Sequence, residues 1–326
     1  MTVTQRSLAA VLSAILLTSS PTSAQLAGGQ PEWYLPVTDG CRLFVKEYGH
    51  GTDTVIVLHG GWGAEHSYLM DAFVGLEDRY HLVFYDQRGS LRSPCPDSAI
   101  SVAAHVADLE RLRDELGLNR VHLVGHSMGT YLAMQYLAQH PDRVAGLVLL
   151  GTLLPQNPPS EDLALASSEP APLTREAFFE RPAVLEELRK HGLDRDSGAL
   201  SAKDRTNAWR IRFAGVNLYH VERWRQLKGG QVFYNDRAGR AAAETMPESY
   251  DFTDALREHR CRIWIIDGDH DYLDFGATHL RRWSARVPNV RLVILEHAGH
   301  VAWIDAPAEF RRVLAEALAD VSACRP

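Results

Sequence analysis

Short apolar runs alternate with longer amphipathic stretches along most of the chain. The apolar runs have the length of β-strands and read RLFVKEY, TVIVLHG, HLVFYD, VHLVGH, GLVLLG, RIWIIDGD and RLVILEHAGH. The amphipathic stretches between them predict helices at 102–116, 128–139, 276–286 and 307–318. This alternation is typical of an α/β fold, in which helices flank a mostly parallel sheet.

The alternation is interrupted once, between residues 153 and 250. This stretch is rich in proline at first and then carries Glu, Arg, Trp and Tyr at helical spacing. Because a loop of this length without structure is improbable in a compact domain, the pattern predicts an inserted helical cap. We therefore predict a core formed by residues 25–152 and 251–326, and a cap at residues 153–250.

The first residues differ in kind from the rest. Arg6 precedes an apolar run at residues 8–17, and a polar stretch of small residues, TSSPTSA, ends at Ala24. The run is well short of the roughly 20 residues that span a bilayer. The pattern predicts a signal peptide at residues 1–24 and a secreted or periplasmic mature protein that has no membrane segment.

Composition places the remainder among ordinary globular proteins. The 326 residues are 45% hydrophobic and 23% charged, with a formal net charge of −7 and no basic cluster that would suit nucleic acid. Four cysteines, Cys41, Cys95, Cys261 and Cys324, allow three pairings, and their spacing does not choose among these pairings or exclude free thiols. An oxidising compartment would permit disulfides. The oligomeric state is left open.

The segment GHSMG, residues 125–129, places a serine between two glycines where a predicted strand meets a predicted helix. This context is that of a nucleophile elbow, which exposes a serine hydroxyl at the carboxyl end of a sheet. We predict that Ser127 is a nucleophile.

A serine hydroxyl needs a neighbouring base, and the base needs an acid to orient it. His300, in the loop after the last predicted strand, is favoured over His297, which follows the strand too closely. Asp271, three residues past Gly268, is favoured as the orienting acid. The competing acids are Asp269 first, and then Asp267 and Asp274.

A second glycine cluster, HGGWG at residues 59–63, follows another predicted strand. Its backbone N–H groups could stabilise the negative charge that develops on an attacked carbonyl. We predict an oxyanion hole that consists of the Met128 N–H and the N–H of Gly61 or Trp62. No metal or organic cofactor is implied.

These residues resemble the α/β-hydrolase fold superfamily and, more narrowly, the proline iminopeptidase (prolyl aminopeptidase) group of serine peptidases. The narrower resemblance rests on HGGWG and on DQRGSLRSPCP, residues 86–96, which is similar to that group's D-Q-R-G-x-G-x-S signature. Leu91 stands where the group has its second glycine. The group also more often carries a Gly and a Trp around its serine, where this chain has His126 and Met128.

The resemblance implies a serine hydrolase that releases an N-terminal proline, or another small apolar residue, from short peptides. Such an enzyme must bind the free ammonium group of its substrate, and the cap offers Glu222, Asp236 and Glu244, with Glu244 favoured. A cap segment rich in aromatic residues supplies an apolar pocket; these are Trp209, Phe213, Tyr219, Trp224, Phe233 and Tyr234. The alternatives are a carboxylesterase for small esters and, in a different class, a binding protein without catalysis.

Overall fold

The computed structural model describes residues 31–159, 175–228 and 234–324. The predicted signal peptide and the cap residue Phe233 lie outside these ranges. Ten strands are present in the described ranges: β1 (Glu32–Pro36), β2 (Arg42–Tyr48), β3 (Asp53–Leu58), β4 (Tyr80–Tyr85), β5 (Val121–His126), β6 (Val144–Leu150), β7 (Gln156–Asn157), β8 (Tyr250–Asp251), β9 (Ile263–Gly268) and β10 (Val290–Leu295).

The same ranges contain ten α-helices: α1 (Val102–Glu115), α2 (Met128–Gln139), α3 (Arg175–Phe179), α4 (Pro182–Lys190), α5 (Ala202–Asn217), α6 (Asp236–Ala243), α7 (Thr253–Glu258), α8 (Thr278–Ser284), α9 (Ala302–Asp305) and α10 (Pro307–Ala323). None of these helices is long and apolar enough to cross a membrane.

Eight strands form one sheet in the order β1-β2-β4-β3-β5-β6-β9-β10. The pairs β1–β2 and β2–β4 are antiparallel, and every later pairing is parallel. Since parallel neighbours need crossovers, helices cover both faces of the sheet. The predicted α/β-hydrolase architecture is confirmed.

Successive residues of the central strands belong to different hydrophobic clusters, as expected for side chains that alternate between two buried faces. In β5, Val124 packs on the face that holds Phe310 of α10. Its neighbour Leu123 packs on the face that holds Leu109 of α1 and Leu132 of α2. The sheet therefore lies between two apolar layers of the core.

The predicted runs fall on strands β2 to β6, β9 and β10, and the four predicted helices correspond to α1, α2, α8 and α10. The edge strand β1 and a 3₁₀ segment at His66–Phe73 were not predicted. The helix predicted at 276–286 is interrupted at its start, because Gly276 and Ala277 adopt positive φ angles and α8 begins only at Thr278.

Helices α3 to α6 lie in the segment between β6 and β9, within the range that we predicted to be the cap. The segment leaves and rejoins the core through a two-stranded ribbon, in which Gln156 and Asn157 pair with Asp251 and Tyr250. We call this ribbon the neck. The cap boundaries themselves stay a prediction from the sequence.

All four cysteines are paired. Cys41 joins Cys95, and Cys261 joins Cys324. The first disulfide ties the turn before β2 to the segment that follows β4, and the second ties the start of β9 to the end of α10. The structure thus selects one of the three pairings that the sequence left open.

Candidate active site

Ser127 occupies a sharp turn between β5 and α2. Its backbone has φ 53° and ψ −125°, a conformation that non-glycine residues seldom adopt. The turn is held because the Ser127 N–H donates to the carbonyl oxygen of Leu150 (3.0 Å), and the Thr130 N–H donates to the Ser127 carbonyl (2.8 Å). The side chain consequently stands at the N-terminus of α2, where the helix dipole favours negative charge.

The elbow needs glycine at positions 125 and 129 because neighbouring backbone atoms leave no room for a Cβ, and not because the φ angles there require it. A Cβ on Gly125 would lie 2.5 Å from the carbonyl oxygen of Gly129, and a Cβ on Gly129 would lie 2.3 Å from that of Leu58. Neither position has a φ in the left-handed region. Any side chain at either position would push the helix away from the sheet.

His300 and Asp271 form a buried pair. Nδ1 of His300 lies 2.7 Å from Oδ2 of Asp271, and both side chains are almost fully buried. Burial alone would raise the pKa of Asp271, but the adjacent His300 ring and the N–H of Leu273 hold it below its ordinary value. The ionised carboxylate therefore fixes a proton on Nδ1 and leaves Nε2 as the basic nitrogen.

Gly151, which directly follows β6, allows this placement of His300. Gly151 has a φ of +51°, and a Cβ there would lie 2.9 Å from Nδ1 of His300. The absence of a side chain at this position leaves room for the imidazole beside the elbow.

The competing residues have other partners. His297 is exposed, and its ring centroid lies 5.0 Å from that of Tyr219. Asp269 lies 2.6 Å from His270 and accepts from the Ala298 N–H, whereas Asp274 accepts the N–H groups of His279 and Leu280 at the start of α8. Asp267 is buried beside Asp271 rather than against His300.

The glycine loop after β3 lies beside Ser127. Gly60 approaches so closely that a Cβ on it would lie 2.5 Å from Cβ of Ser127. Gly61 and Met128 line the same cavity as Ser127. Trp62 does not line it, because its ring is buried and stacks on His105 at 4.7 Å. Of the two alternatives that we predicted for the second oxyanion donor, the geometry favours Gly61.

The DQRG segment supports this loop from behind. The Gln87 N–H donates to Nε2 of His59 (3.0 Å), and the Gln87 side-chain amide donates to the His59 carbonyl (2.8 Å). Leu91 is accommodated in the segment because its side chain extends into solvent and its φ is not in the left-handed region, which only Gly89 adopts here. A glycine is therefore not needed at position 91.

A cavity of about 490 Å³ opens over Ser127 and His300. Its apolar wall includes Trp209 and Phe213 of α5, and Tyr272 on the core side. Three charged residues also line it: Glu65, Lys228 and Asp236. Lys228 is paired with Asp71, and Asp236 with Arg240. The cavity is thus lined both by the core and by the predicted cap.

The structure does not bring Glu244, the favoured candidate for binding the substrate ammonium, to the cavity. Glu244 is exposed at the C-terminal end of α6 and does not line the cavity. Glu222 is also outside and lies 3.2 Å from Nδ1 of His220. Asp236, a weaker candidate, is the cap acid that reaches the cavity.

Glu65 was missed by the sequence reasoning. It is 4% exposed, and its carboxylate accepts the N–H (2.7 Å) and hydroxyl (2.5 Å) of Ser67. The only available signal was its position two residues after the glycine cluster, which a cap of the following 3₁₀ segment explains equally well.

One group of side chains in the described residues has a donor set suited to a metal ion: Glu65, His66 and Asp86, whose ligand atoms lie within 4.8 Å of one another. These atoms already have protein partners. Nδ1 of His66 lies 2.7 Å from Oδ1 of Asp86, which also accepts the His66 N–H. We interpret the group as a polar network that anchors the loop after β3.

Comparisons with known proteins identify the fold family of the chain. A family model described as the alpha/beta hydrolase fold matches residues 53–307. A proline iminopeptidase of Lactobacillus delbrueckii subsp. lactis is 28% identical over 303 residues, which cover 87% of this chain and 97% of the relative. Two solved structures each match 90% of this chain and 99% of their own: an esterase from Thermogutta terrifontis (TM-score 0.60, 22% identity) and a proline iminopeptidase-related protein from Thermus thermophilus (TM-score 0.59, 23% identity). The chain therefore belongs to the α/β-hydrolase fold family.

Proposed function

We propose that the protein is a secreted serine hydrolase that works through an acyl-enzyme, with Ser127 as nucleophile, His300 as general base and then acid, and Asp271 as orienting carboxylate. The observation that carries the proposal is that Ser127 and His300 line one cavity, while Asp271 is buried behind His300 at 2.7 Å. This arrangement supplies each group that acyl transfer requires.

In the first half-reaction, Nε2 of His300 takes the proton of the Ser127 hydroxyl as Oγ attacks the substrate carbonyl. The N–H groups of Met128 and Gly61 stabilise the resulting oxyanion. His300 then gives its proton to the amine or alcohol, which departs. The acyl group remains bound to Ser127 as the acyl-enzyme. In the second half-reaction, water gives its proton to His300 and attacks the carbonyl of the acyl-enzyme. The bond to Ser127 breaks, Ser127 regains a proton from His300, and the acid is released.

The preferred substrate is a short peptide with a free N-terminus, from which proline or another small apolar residue is released. Support comes from a cavity that combines an aromatic wall with the carboxylates of Glu65 and Asp236. Among the described residues, the partners of the buried Glu65 carboxylate are the neutral donors of Ser67 and a nitrogen of His66 at 3.8 Å, so a substrate ammonium would give it a full counter-charge. The proline iminopeptidase relative supports the same reaction.

The central test is labelling and turnover with Ser127→Ala. The wild-type protein should react covalently with a fluorophosphonate probe and should hydrolyse proline p-nitroanilide. The variant should do neither. Labelling of the variant at another residue would overturn the assignment of Ser127.

Blocking the N-terminus of the substrate tests whether the enzyme requires a free substrate ammonium group. N-acetylproline p-nitroanilide should be a poor substrate, and Glu65→Gln should raise KM for the free substrate by about 10- to 100-fold, the value of one charge-assisted hydrogen bond. Glu244→Gln, which removes an exposed acid outside the cavity, is the matched control and should leave KM unchanged.

A carboxylesterase is the second candidate. The mostly apolar cavity and the fold shared with the Thermogutta terrifontis esterase favour it. Turnover of p-nitrophenyl butyrate without anilide cleavage, unaffected by Glu65→Gln, would select this alternative.

Export of the protein is part of the proposal. The apolar N-terminal segment predicts it, and the two disulfides are consistent with an oxidising compartment. Sequencing the N-terminus of material recovered outside the cytoplasm should find residue 25 or a near neighbour. Recovery only of a chain that begins at Met1 would refute export with cleavage.

A further inference from the structure

A short chain of hydrogen bonds connects the glycine loop, the 3₁₀ segment, the end of β5 and the His300 loop around Ser127. The Gly60 N–H donates to the hydroxyl oxygen of Tyr68 (2.7 Å), this oxygen lies 2.7 Å from Nδ1 of His126, and Nε2 of His126 lies 3.1 Å from the carbonyl oxygen of His300. Its terminal residues are Gly60 in the glycine loop after β3 and His300 in the loop after β10. Its middle includes His126, the elbow residue that directly precedes Ser127.

The positions of the protons follow by elimination. A carbonyl oxygen can only accept, so Nε2 of His126 carries the hydrogen and donates it to His300. Nδ1 of the neutral ring is then an acceptor, and the hydroxyl of Tyr68 donates to it. The Tyr68 oxygen keeps a lone pair for the Gly60 N–H. Each hydrogen bond therefore has one defined donor and one defined acceptor, and donation runs from Gly60 through Tyr68 and His126 to His300.

His126 stays in this form over the working range of pH. The residue is buried, and burial lowers the pKa of His126 to about 3, with the neighbouring His300 acting in the same direction. Packing also holds the ring in place, because its centroid lies 4.7 Å from that of His300 and 5.0 Å from that of Trp303. The donor and acceptor faces of His126 are therefore fixed.

We propose that Tyr68 and His126 are positioning residues that set the glycine loop and the His300 loop relative to Ser127. They act through the Gly60 N–H and the His300 carbonyl; both residues line the cavity, but the Tyr68 hydroxyl and the two ring nitrogens of His126 are engaged in this chain of hydrogen bonds. The Gly60 N–H is held by Tyr68, and both Gly60 and the adjacent Gly61 line the cavity, so the same contact sets the position of the proposed Gly61 donor. This inference rests on the proposed serine-hydrolase function.

The sharpest test deletes one atom. Tyr68→Phe removes the acceptor of the Gly60 N–H and the donor to His126 while it keeps the ring. Because a misplacement of about 1 Å can cost 10²-fold in rate, we expect kcat to fall by about 10- to 100-fold, with KM within about threefold of wild type. An unchanged kcat, or a loss confined to KM, would overturn the proposal.

Tyr131→Phe is the matched control. Tyr131 is also buried and packed among aromatic rings, but its hydroxyl has no hydrogen-bond partner among the described residues. Its variant should keep the wild-type kcat. An equal loss of kcat in both variants would attribute the effect to general packing and would overturn the positioning role.

Substitutions at His126 provide an independent test. His126→Gln places an amide N–H near the position of Nε2 and can still donate to His300, whereas His126→Leu cannot. We expect kcat to decrease in the order wild type, Gln, Leu. The double variant Tyr68→Phe/His126→Leu should lose no more than the worse single variant, because both interrupt one chain. Additive losses, or equal kcat values for Gln and Leu, would overturn the proposal.

Ser127→Ala separates this inference from the function on which it rests. If Ser127→Ala keeps wild-type turnover, the proposed function is wrong and the positioning role is wrong with it. If Ser127→Ala is inactive while Tyr68→Phe and His126→Leu keep the wild-type kcat, only the positioning role is overturned.

Discussion

The backbone N–H of Thr152 donates to Oδ2 of Asp267 at 3.0 Å. This contact holds a second carboxyl group beside Asp271, fully buried and behind the His300 pair. Burial and the charge of Asp271 raise the pKa of Asp267 well above its ordinary value. Within this pair the proton therefore favours Asp267, and the charge favours Asp271, the carboxylate that contacts His300.

Asparagine substitutions should distinguish the two acids. Asp271→Asn removes the charge that orients and stabilises the His300 ring, and kcat should fall by on the order of 10³- to 10⁴-fold. Asp267→Asn replaces a neutral acid with a neutral amide of the same shape, so kcat should stay within about threefold of wild type. Steady-state kinetics with one chromogenic substrate measures both. A large loss in Asp267→Asn would show that Asp267 carries the charge.

The buried ion pair between Arg88 of the DQRG segment and Asp108 of α1 should contribute to stability only when both partners are present. Nε and Nη2 of Arg88 donate to the two carboxylate oxygens of Asp108 at 2.7 and 2.5 Å, and both side chains are buried. Arg88→Met leaves an unpaired buried carboxylate and should cost about 3–5 kcal/mol in the free energy of unfolding. Urea unfolding is the measurement. The double variant Arg88→Met/Asp108→Leu should recover more than half of the loss, and no recovery would contradict this explanation.

Acid should destabilise the fold through buried histidines. Burial lowers the pKa values of His105, His126 and His259 from 6.5 to about 3, 3 and 4. Because the unfolded chain binds these protons first, the stability that the neutral rings provide is complete above pH 6.5 and is lost as the pH falls toward 4. Each ring contributes a slope of at most about 1.4 kcal/mol per pH unit.

Urea unfolding at pH 7, 6 and 5 should show this decline. His105→Phe keeps the stacking on Trp62 and removes one titrating group, so its unfolding free energy should depend less steeply on pH. His50→Gln changes an exposed histidine and should keep the wild-type slope. Identical slopes for wild type and His105→Phe would refute the assignment.

The disulfide between Cys261 and Cys324 should contribute strongly to stability. It closes a loop of 63 residues, and the loss of chain entropy in the unfolded state corresponds to about 4 kcal/mol. Cys261→Ser/Cys324→Ser should lower the free energy of unfolding by about this amount. A variant as stable as wild type would contradict the prediction.

Much of the core could be predicted because its local signals agree with its tertiary role. The run VHLVGH coincides with β5, and the helix predicted at 128–139 coincides with α2. Ser127 was recognisable because the steric demands of its turn permit only glycine at 125 and 129. The edge strand β1 carries a weaker pattern: it is short and ends in Pro36, and only Leu35 of its five residues is buried.

The substrate-facing side could not be predicted in the same way. Glu244 and Asp236 have similar chemistry and lie on or beside one short helix, so only its orientation decides which acid faces the cavity. Glu65 and Tyr68 reach the site through a 3₁₀ segment whose buried residues recur about every three positions, over a stretch too short to distinguish from a loop in the sequence. These placements depend on tertiary packing, which leaves little trace in local patterns.

The neck gives the molecule a modular organisation. β6 and β9 are hydrogen-bonded neighbours although more than a hundred residues separate them, and the neck holds the two ends of the intervening segment side by side. A replacement segment with similarly spaced ends can enter there without changing the register of any core strand. Recombination at the neck would therefore exchange the part of the cavity wall that contains Trp209, Phe213 and Asp236, while Ser127, Asp271 and His300 are inherited unchanged.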